Sequence, residues 1–488
     1  MAEVKNAAGW YAGVMTETRA NAPVRGRWWL PLLVAGIGSF VSATGFGAAG
    51  LALPRIAEVF RIDLAVAQWV PLLQNLVMTS ALLPAGWLAD RIGTRRIFTV
   101  GTLLYAAGSL ASAVAPDFLF LLAARAVVIL GTSMATATSP AITIAVVPAE
   151  RRGQALGWTV TFTYVGLAVG PALAGIAMAL GDWPAAFWFV VPFALGVAAA
   201  AGRWLPADVG AQGNRRFDAL GAILLTVAVG ALLLALTQGS GWGWGSPAVL
   251  GLVAAGVAAS AGFVARELRV ADPLLDLRLF RSRVFASANA SAILLYLGGW
   301  VPPFLMPFFL IDGQGVGPAQ AGLLLSLIPL TTMVTAPVAG MLTDRWGSTG
   351  LTACGVGLVA AGLGLLGALA PTAPALDVAW RLVIVGIGIG LFTTPNNAAA
   401  LVAVPERSRG TAAALAGATR NIGMALGVAL AGTVYVEVSR LTAPADAPFV
   451  AIRWAFWAVA AVTASGVAVS LLRGRHAHAG RDAAGSSR

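Results

Sequence analysis

Fourteen apolar segments follow one another along this 488-residue chain, at roughly 29–53, 66–89, 97–115, 118–147, 154–180, 185–202, 217–238, 247–265, 285–311, 318–343, 350–370, 376–404, 408–435 and 449–472. A bilayer-spanning helix needs roughly 20 mostly apolar residues. In hydrocarbon each backbone N–H and C=O must be satisfied internally, so runs of this kind have to be α-helices. The expected fold class is therefore all-α, a polytopic membrane protein with 14 transmembrane helices. Only 10% of residues are charged, far below the roughly 25% of soluble domains, which excludes a water-soluble fold.

The charges that remain describe topology. Thirty-one basic residues against twenty acidic ones leave a net +11, a balance that in a soluble chain would suggest nucleic acid. Here the basic residues occupy short connections, and no nucleic-acid partner is expected. Laid on alternating sides with the N-terminus inside, 24 of the 31 fall inside, while Arg55, Arg61 and Arg440 fall outside. The other four, Arg125, Arg381, Arg420 and Arg453, lie within or at the ends of spans. By the positive-inside rule both termini are cytoplasmic. Arginine exceeds lysine by thirty to one alongside abundant alanine and glycine, a composition expected of a GC-rich bacterial gene and hence of the inner (plasma) membrane. Residues 1–27 lack the apolar stretch of a signal peptide.

Several classes of chemistry are excluded. Lys5 is the only lysine, so no phosphate-binding G-x-x-x-x-G-K-[ST] loop exists, and energy must come from a gradient or a partner. Cys354 is the only cysteine, and His476 and His478 sit in the tail, so neither a disulfide nor a Cys/His metal site is expected, and no cofactor.

An internal repeat organises the chain. Gly86-Trp-Leu-Ala-Asp90-Arg91-Ile-Gly93 recurs as Gly340-Met-Leu-Thr-Asp344-Arg345-Trp-Gly347, offset 254; Arg125 with Pro140 recurs as Arg381 with Pro395; Val147–Gly153 recurs as Val404–Gly410. The copies fall on the same side of the membrane as their partners, which makes the halves parallel, six helices each, with two additional spans between them. The expected division is a tail at 1–27, a six-helix bundle at 28–203, two helices and linkers at 204–284, a second bundle at 285–472 and a tail at 473–488.

The segment from Gly86 to Arg96, with Arg95 and Arg96 closing it, resembles the cytoplasmic signature between helices 2 and 3 of the major facilitator superfamily. Arg125 with Gly131 resembles its helix 4 signature, and Gly166, Gly170, Pro171 and Gly175 resemble the helix 5 signature of its antiporters. With fourteen spans, the chain is similar to the 14-helix drug:proton antiporter branch, over residues 28 to 472. Asp90 ends helix 2, where a carboxylate can pair with an arginine or face the positive N-terminus of another helix; the resemblance implies a latch against helix 11 of the family fold, near Ser408 to Thr411, with Asp344 and Arg345 as a degenerate copy. The alternative for this stretch is a solvated basic loop. Gly166, Gly170 and Gly175 let another helix approach closely, and Pro171 permits a kink.

Charge inside a membrane is costly and usually functional. The resemblance implies that Arg125 faces a cavity and assists proton coupling; Arg420 is either cavity lining or a buried hydrogen-bond hub. All twenty acids lie in tails, loops or helix ends. Gly45 stands where the branch commonly carries a helix 1 Asp, and Val190 where it carries an Asn. Coupling then runs through Asp90 and the arginines, through a peripheral acid such as Glu58, Asp117, Asp182, Asp312, Asp377 or Glu437 drawn to the cavity mouth, or differently from the family. The expected lining comprises Thr44, Gln74, Asn75, Thr132, Tyr164, Asn289, Tyr296, Thr331, Thr394, Asn396 and Asn397, with Phe162, Trp300 and Phe304. Without a central carboxylate, such a cavity favours neutral, zwitterionic or anionic amphiphiles over permanent cations. The implied role is secondary export of small amphipathic molecules, drug or antibiotic efflux, by proton antiport from a monomer in the lipid bilayer. A carrier of an endogenous metabolite or lipid with other coupling or direction is the alternative, and a membrane sensor or scaffold the remote one. No nucleophile and base pair marks an enzyme.

Overall fold

The computed structural model describes residues 29–147, 152–206, 218–270, 277–404, 409–442 and 447–472, and among them the chain is helical with short turns. Eleven stretches are long and apolar enough to cross a membrane. One of them, Thr161–Trp204, is 44 residues long and turns back where Gly181 and Asp182 leave helical backbone values, Asp182 with φ 61°. It makes two passes. Trp69–Ile92 and Thr94–Ala113 supply two more, which brings the passes among the described residues to the expected fourteen.

In chain order, α1 is Trp29–Phe60, α2 Trp69–Ile92, α3 Thr94–Ala113 and α4 Phe118–Val146. The helix Arg152–Trp188 holds α5 and, beyond its break, the first turns of α6, which continues as Val191–Trp204. The inserted pair is α7, Ala219–Trp242, and α8, Pro247–Glu267. The second half comprises α9 (Arg283–Gly299, Val301–Pro307 and the π-turn Phe308–Gly313), α10 (Pro318–Leu325 and Leu327–Trp346), α11 (Ser348–Gly367), α12 (Ala375–Val402), α13 (Arg409–Leu441) and α14 (Ala447–Leu471). The sequence suggests one uninterrupted helix over 285–311, but the chain breaks at Trp300. Pro302, Pro303 and Pro307 withdraw backbone donors there, and the ladder cannot run through.

The repeat recurs in the packing. α1 packs on α5, α2 and α3 on α4, and α3 on α6; in the second half α9 packs on α13, α10 and α11 on α12, and α11 on α14. The turn from α2 to α3 is a single residue, Gly93, with φ 116°; its repeat partner Gly347 joins α10 to α11 with φ 75°. Both conformations are essentially closed to residues with a Cβ.

One face of the molecule, here the basic face, carries Arg91, Arg95, Arg96, Arg203, Arg266, Arg269 and Arg345; the other, the hairpin face, carries the turns near 61–68, 114–117, 181–182, 243–246 and 368–374. The largest apolar cluster joins both halves. Its members from the first half, such as Leu53, Ile56, Leu72, Leu121, Met178 and Phe187, all come from the hairpin-face ends of their helices. Toward the basic face the clusters part: one built on Phe98 and Val128 stays in the first half, and one built on Phe285 and Leu415 joins the second half to Leu225 and Phe263 of the inserted pair. The halves therefore touch at the hairpin face and separate toward the basic face.

The acids serve helix ends. Asp63, Asp117 and Asp218 cap helices by accepting from backbone N–H groups, and Arg55 grips Asp182 through two bonds of 3.0 and 3.1 Å. Buried Asp218 also holds Arg266 at 2.6 Å, tying the two basic-face ends of the α7–α8 hairpin together. Trp242 and Trp244 sit half-exposed at its tip. α7 lies against both α13 and α2, and Thr433 Oγ1 donates to Leu236 O at 2.9 Å.

Gly93→Ala and Gly347→Ala should each cost about 1–3 kcal/mol of backbone strain, measured as lost thermal stability in detergent. Gly350→Ala, where a Cβ meets nothing within 4 Å, should cost nothing. Equal behaviour of all three would contradict the strain at the two turns.

Candidate functional site

A cavity of about 470 Å³ lies between the halves. Its lining comes from α1, α2, α4 and α5 and from their repeat partners α9, α10, α12 and α13. On each helix the lining residues recur three or four apart: Ser39, Ser42, Phe46 and Gly50 on α1, Thr132, Thr136 and Ser139 on α4, Thr159, Thr163 and Leu167 on α5. That spacing is one helical face. At the hairpin-face end Leu53, Val70, Phe304 and Leu325 are buried; nearer the basic face Thr136, Pro140 and Asn397 are exposed. The cavity is shut at one face and open toward the other.

The closure is made by backbone meeting backbone. A Cβ at Gly175 would lie 2.4 Å from Pro318 O, and one at Gly322 would lie 2.2 Å from Pro171 O, so α5 and α10 interlock across the halves. Gly166 and Gly170 instead press on α1, at Phe40 O and Thr44 O. Pro171 lines the cavity.

Gln74, Thr132, Tyr164, Tyr296, Trp300, Phe304, Asn397 and Arg420 all line it. Seven other residues expected there are placed elsewhere, and their assignment is corrected. Thr44 donates to Phe40 O at 2.9 Å, Asn75 to Pro71 O at 2.9 Å and Asn396 to Ala288 O at 3.1 Å. Asn289 donates to Phe285 O and accepts from Thr419, Thr331 turns back on Leu327 O, Phe162 fills the space beside Gly36 and Thr394 the space beside Gly340. Thr332 and Thr393 line the cavity in place of their neighbours. Choosing the wrong one of two adjacent residues is a 100° error on a helix. The period itself was the signal: counting by three and four from Thr132 finds Thr136 and Ser139. Asn421, beside Arg420, was also missed.

Arg125 stands behind the lining, 2% exposed. It donates to Gln74 Oε1 at 3.1 Å and lies 5.2 Å from the centre of the Phe187 ring; among the described residues no carboxylate pairs with it. Its repeat partner Arg381 is bound to Asp377 and stacks on Trp380 at 4.5 Å. The place opposite Gly45 is filled by Tyr105, which donates to Val41 O at 3.0 Å; a Cβ at 45 would meet its hydroxyl oxygen at 1.9 Å. Among the described residues Arg420 is the only charged one in the lining, and none of the peripheral acids lines the cavity.

The latch falls largely outside the described residues: the side chains of Asp90, Asp344 and 409–411 and all of Ser408 lie there. Around it, Arg91 stacks 5.4 Å from the Trp87 ring, Arg95 donates to Gly202 O, Gly86 has open space, and Arg96 and Arg345 are exposed.

Residues 35–220 and 289–487 match the family described as the Major Facilitator Superfamily. The riboflavin transporter RibZ of Clostridioides difficile is 27% identical over 91% of this chain and 97% of its own length. The multidrug resistance protein Stp of Mycobacterium tuberculosis is 30% identical over 83% of this chain and 75% of its own. The tetracenomycin C resistance and export protein of Streptomyces glaucescens is 29% identical over 84% and 76%. A solved POT family transporter in complex with 5-aminolevulinic acid superposes with a TM-score of 0.68 over 90% of this chain and 95% of that one, at 16% identity, which speaks to the fold alone.

Gln74→Leu should leave Arg125 short of its acceptor and cost about 1.5–3 kcal/mol, read as a lower unfolding temperature in detergent. Gln74→Glu, which offers Arg125 a carboxylate, should match or exceed the parent. An unchanged Gln74→Leu would mean that Arg125 is held by other groups.

Proposed function

The chain belongs to the Major Facilitator Superfamily, and we propose that this transporter exports small amphipathic molecules, drugs or antibiotics, by proton antiport and alternating access. One observation carries the reading: a single cavity lined by four helices of each half, sealed at one face and open at the other. Rocking the halves about such a cavity exchanges the sealed face for the open one. The excess of arginine at the basic face assigns it to the cytoplasm, so this conformation takes up solute from the inside of a bacterial plasma membrane. The unit is a monomer of two bundles, 28–203 and 285–472, with 204–284 between them. The names of Stp and of the tetracenomycin C export protein support the export reading. RibZ, matched over nearly its whole length, favours the second reading, a carrier of an endogenous metabolite.

Among the described residues no carboxylate lines the cavity, and we assign the coupling proton to Asp90, with the arginines, which stay protonated, acting through their charge. In proteoliposomes under an imposed ΔpH, amphipathic substrates should evoke proton release from the parent chain, release lost in Asp90→Asn and reduced in Arg125→Ala. Transport indifferent to ΔpH but dependent on sodium would sink antiport and favour the second reading.

Alternation has its own test. Gly322→Val places a side chain into Pro171 O and should break the seal, so that thiols engineered at the cavity end near Leu53 react with an impermeant reagent added from outside. Protection equal to the parent's would count against a seal at this site.

A further inference from the structure

The α13 segment of the cavity carries two groups that the fold itself leaves unemployed. Arg420 lines the cavity and, among the described residues, takes part in no ion pair or hydrogen bond. Asn421 lines it too, is 4% exposed, and its buried amide Nδ2 has no partner. Leaving a buried donor unpaired is costly, and a guanidinium half-buried among apolar side chains is costlier without a counter-charge. Both groups are donors only at the atoms concerned, so both ask for the same thing: an acceptor, best an anionic oxygen pair that a guanidinium can clasp.

The other half of the requirement is flat. Tyr164 and Tyr296 share the cavity with Arg420 and lie within electrostatic reach of one another. Trp300 stands edge-to-face with Phe46, ring centres 5.2 Å apart, across the two halves, and both border the same space. These four aromatic side chains, with Phe304 as a fifth at the closed end, border a volume of about 470 Å³ that accepts a planar ring system by stacking and edge contacts. Among the described residues no carboxylate lines the cavity to hold a cation.

Resting on the carrier reading above, we propose that the cavity holds a planar aromatic molecule bearing a carboxylate or comparable anionic group, the anion on Arg420 and Asn421 and the ring system between Tyr164, Tyr296, Trp300 and Phe46. Arg125, one side chain behind the lining through Gln74, adds a second positive charge of the same sign.

Two dyes with one tricyclic skeleton and opposite charge test this, fluorescein as the anion and rhodamine 6G as the cation, titrated by fluorescence anisotropy onto the full chain in detergent. Fluorescein should bind at least tenfold more tightly. Arg420→Gln should erase that preference without weakening rhodamine 6G, Arg420→Lys should keep it in part, Asn421→Leu should weaken fluorescein several-fold, and Arg440→Gln at the hairpin face should change nothing. Equal or tighter binding of rhodamine 6G, binding of neither dye by folded protein, or an Arg420→Gln variant that folds and binds fluorescein as before, each overturns the proposal. Translocation in proteoliposomes separates the two ideas: preferential fluorescein binding with no movement of any solute would remove the carrier reading and leave the site, whereas movement of rhodamine 6G without fluorescein binding would do the reverse.

Discussion

At the hairpin face α5 and α10 come so close that their backbones, not their side chains, form the contact. Gly175 against Pro318 O and Gly322 against Pro171 O leave no room for a single carbon. Lipid supplies no hydrophobic force between helices, so association in a membrane rests on packing of this kind. The cavity follows from it. Because the halves are clamped at one end and their apolar clusters are separate at the other, space opens between the cavity faces of eight helices, and it widens in one direction only.

What could be read from the residues, and what could not, divides along a physical line. The spans were legible because each is an unbroken apolar run, and the duplication because its motifs carry charge and glycine at fixed offsets; Gly93 and Gly347 occupy equivalent turns with backbone angles that the sequence could only imply. Rotation of a helix about its axis was not legible where both faces are apolar. Thr331 and Thr332, Thr393 and Thr394, Asn396 and Asn397 are adjacent pairs, and nothing in composition says which member faces the cavity. Polarity fails as a guide here because a hydroxyl in a span bonds its own helix, as Thr331 and Thr335 do. The interruption of α9 was not read from the sequence, although Pro302, Pro303 and Pro307 stand beside it, and the breaking residue, Trp300, is one that most helices accommodate.

The repeat also shows how one inheritance is resolved in two ways. Arg381 keeps a carboxylate one turn away in Asp377, near a helix end where water is close. Arg125 is more fully buried and has an amide oxygen and an aromatic ring instead. On α1 the place facing Tyr105 has no side chain at all, and the phenol fills the volume that a larger residue at Gly45 would need. The interior thus keeps its positive charge while Asp63, Asp117, Asp182, Asp218 and Asp377 serve caps and pairs at helix ends, as expected where a buried carboxylate would need a dedicated partner.

The inserted hairpin makes the two flanks of the molecule unequal. α7 borders the junction of α2 with α13, whereas the α5–α10 junction has no comparable cover among the described residues. Polar ties run from it to α13, through Thr433 to Leu236 O and Trp244 to Glu437, while toward α2 a shallow gap beside Pro84 is bordered by Ala219, Ile223 and Val227. The hairpin is therefore a passenger of the second half. If the halves rock as proposed, the α2–α13 flank would have to move along the inserted pair while the α5–α10 flank would not, so the twofold kinship of the halves does not extend to what each flank meets.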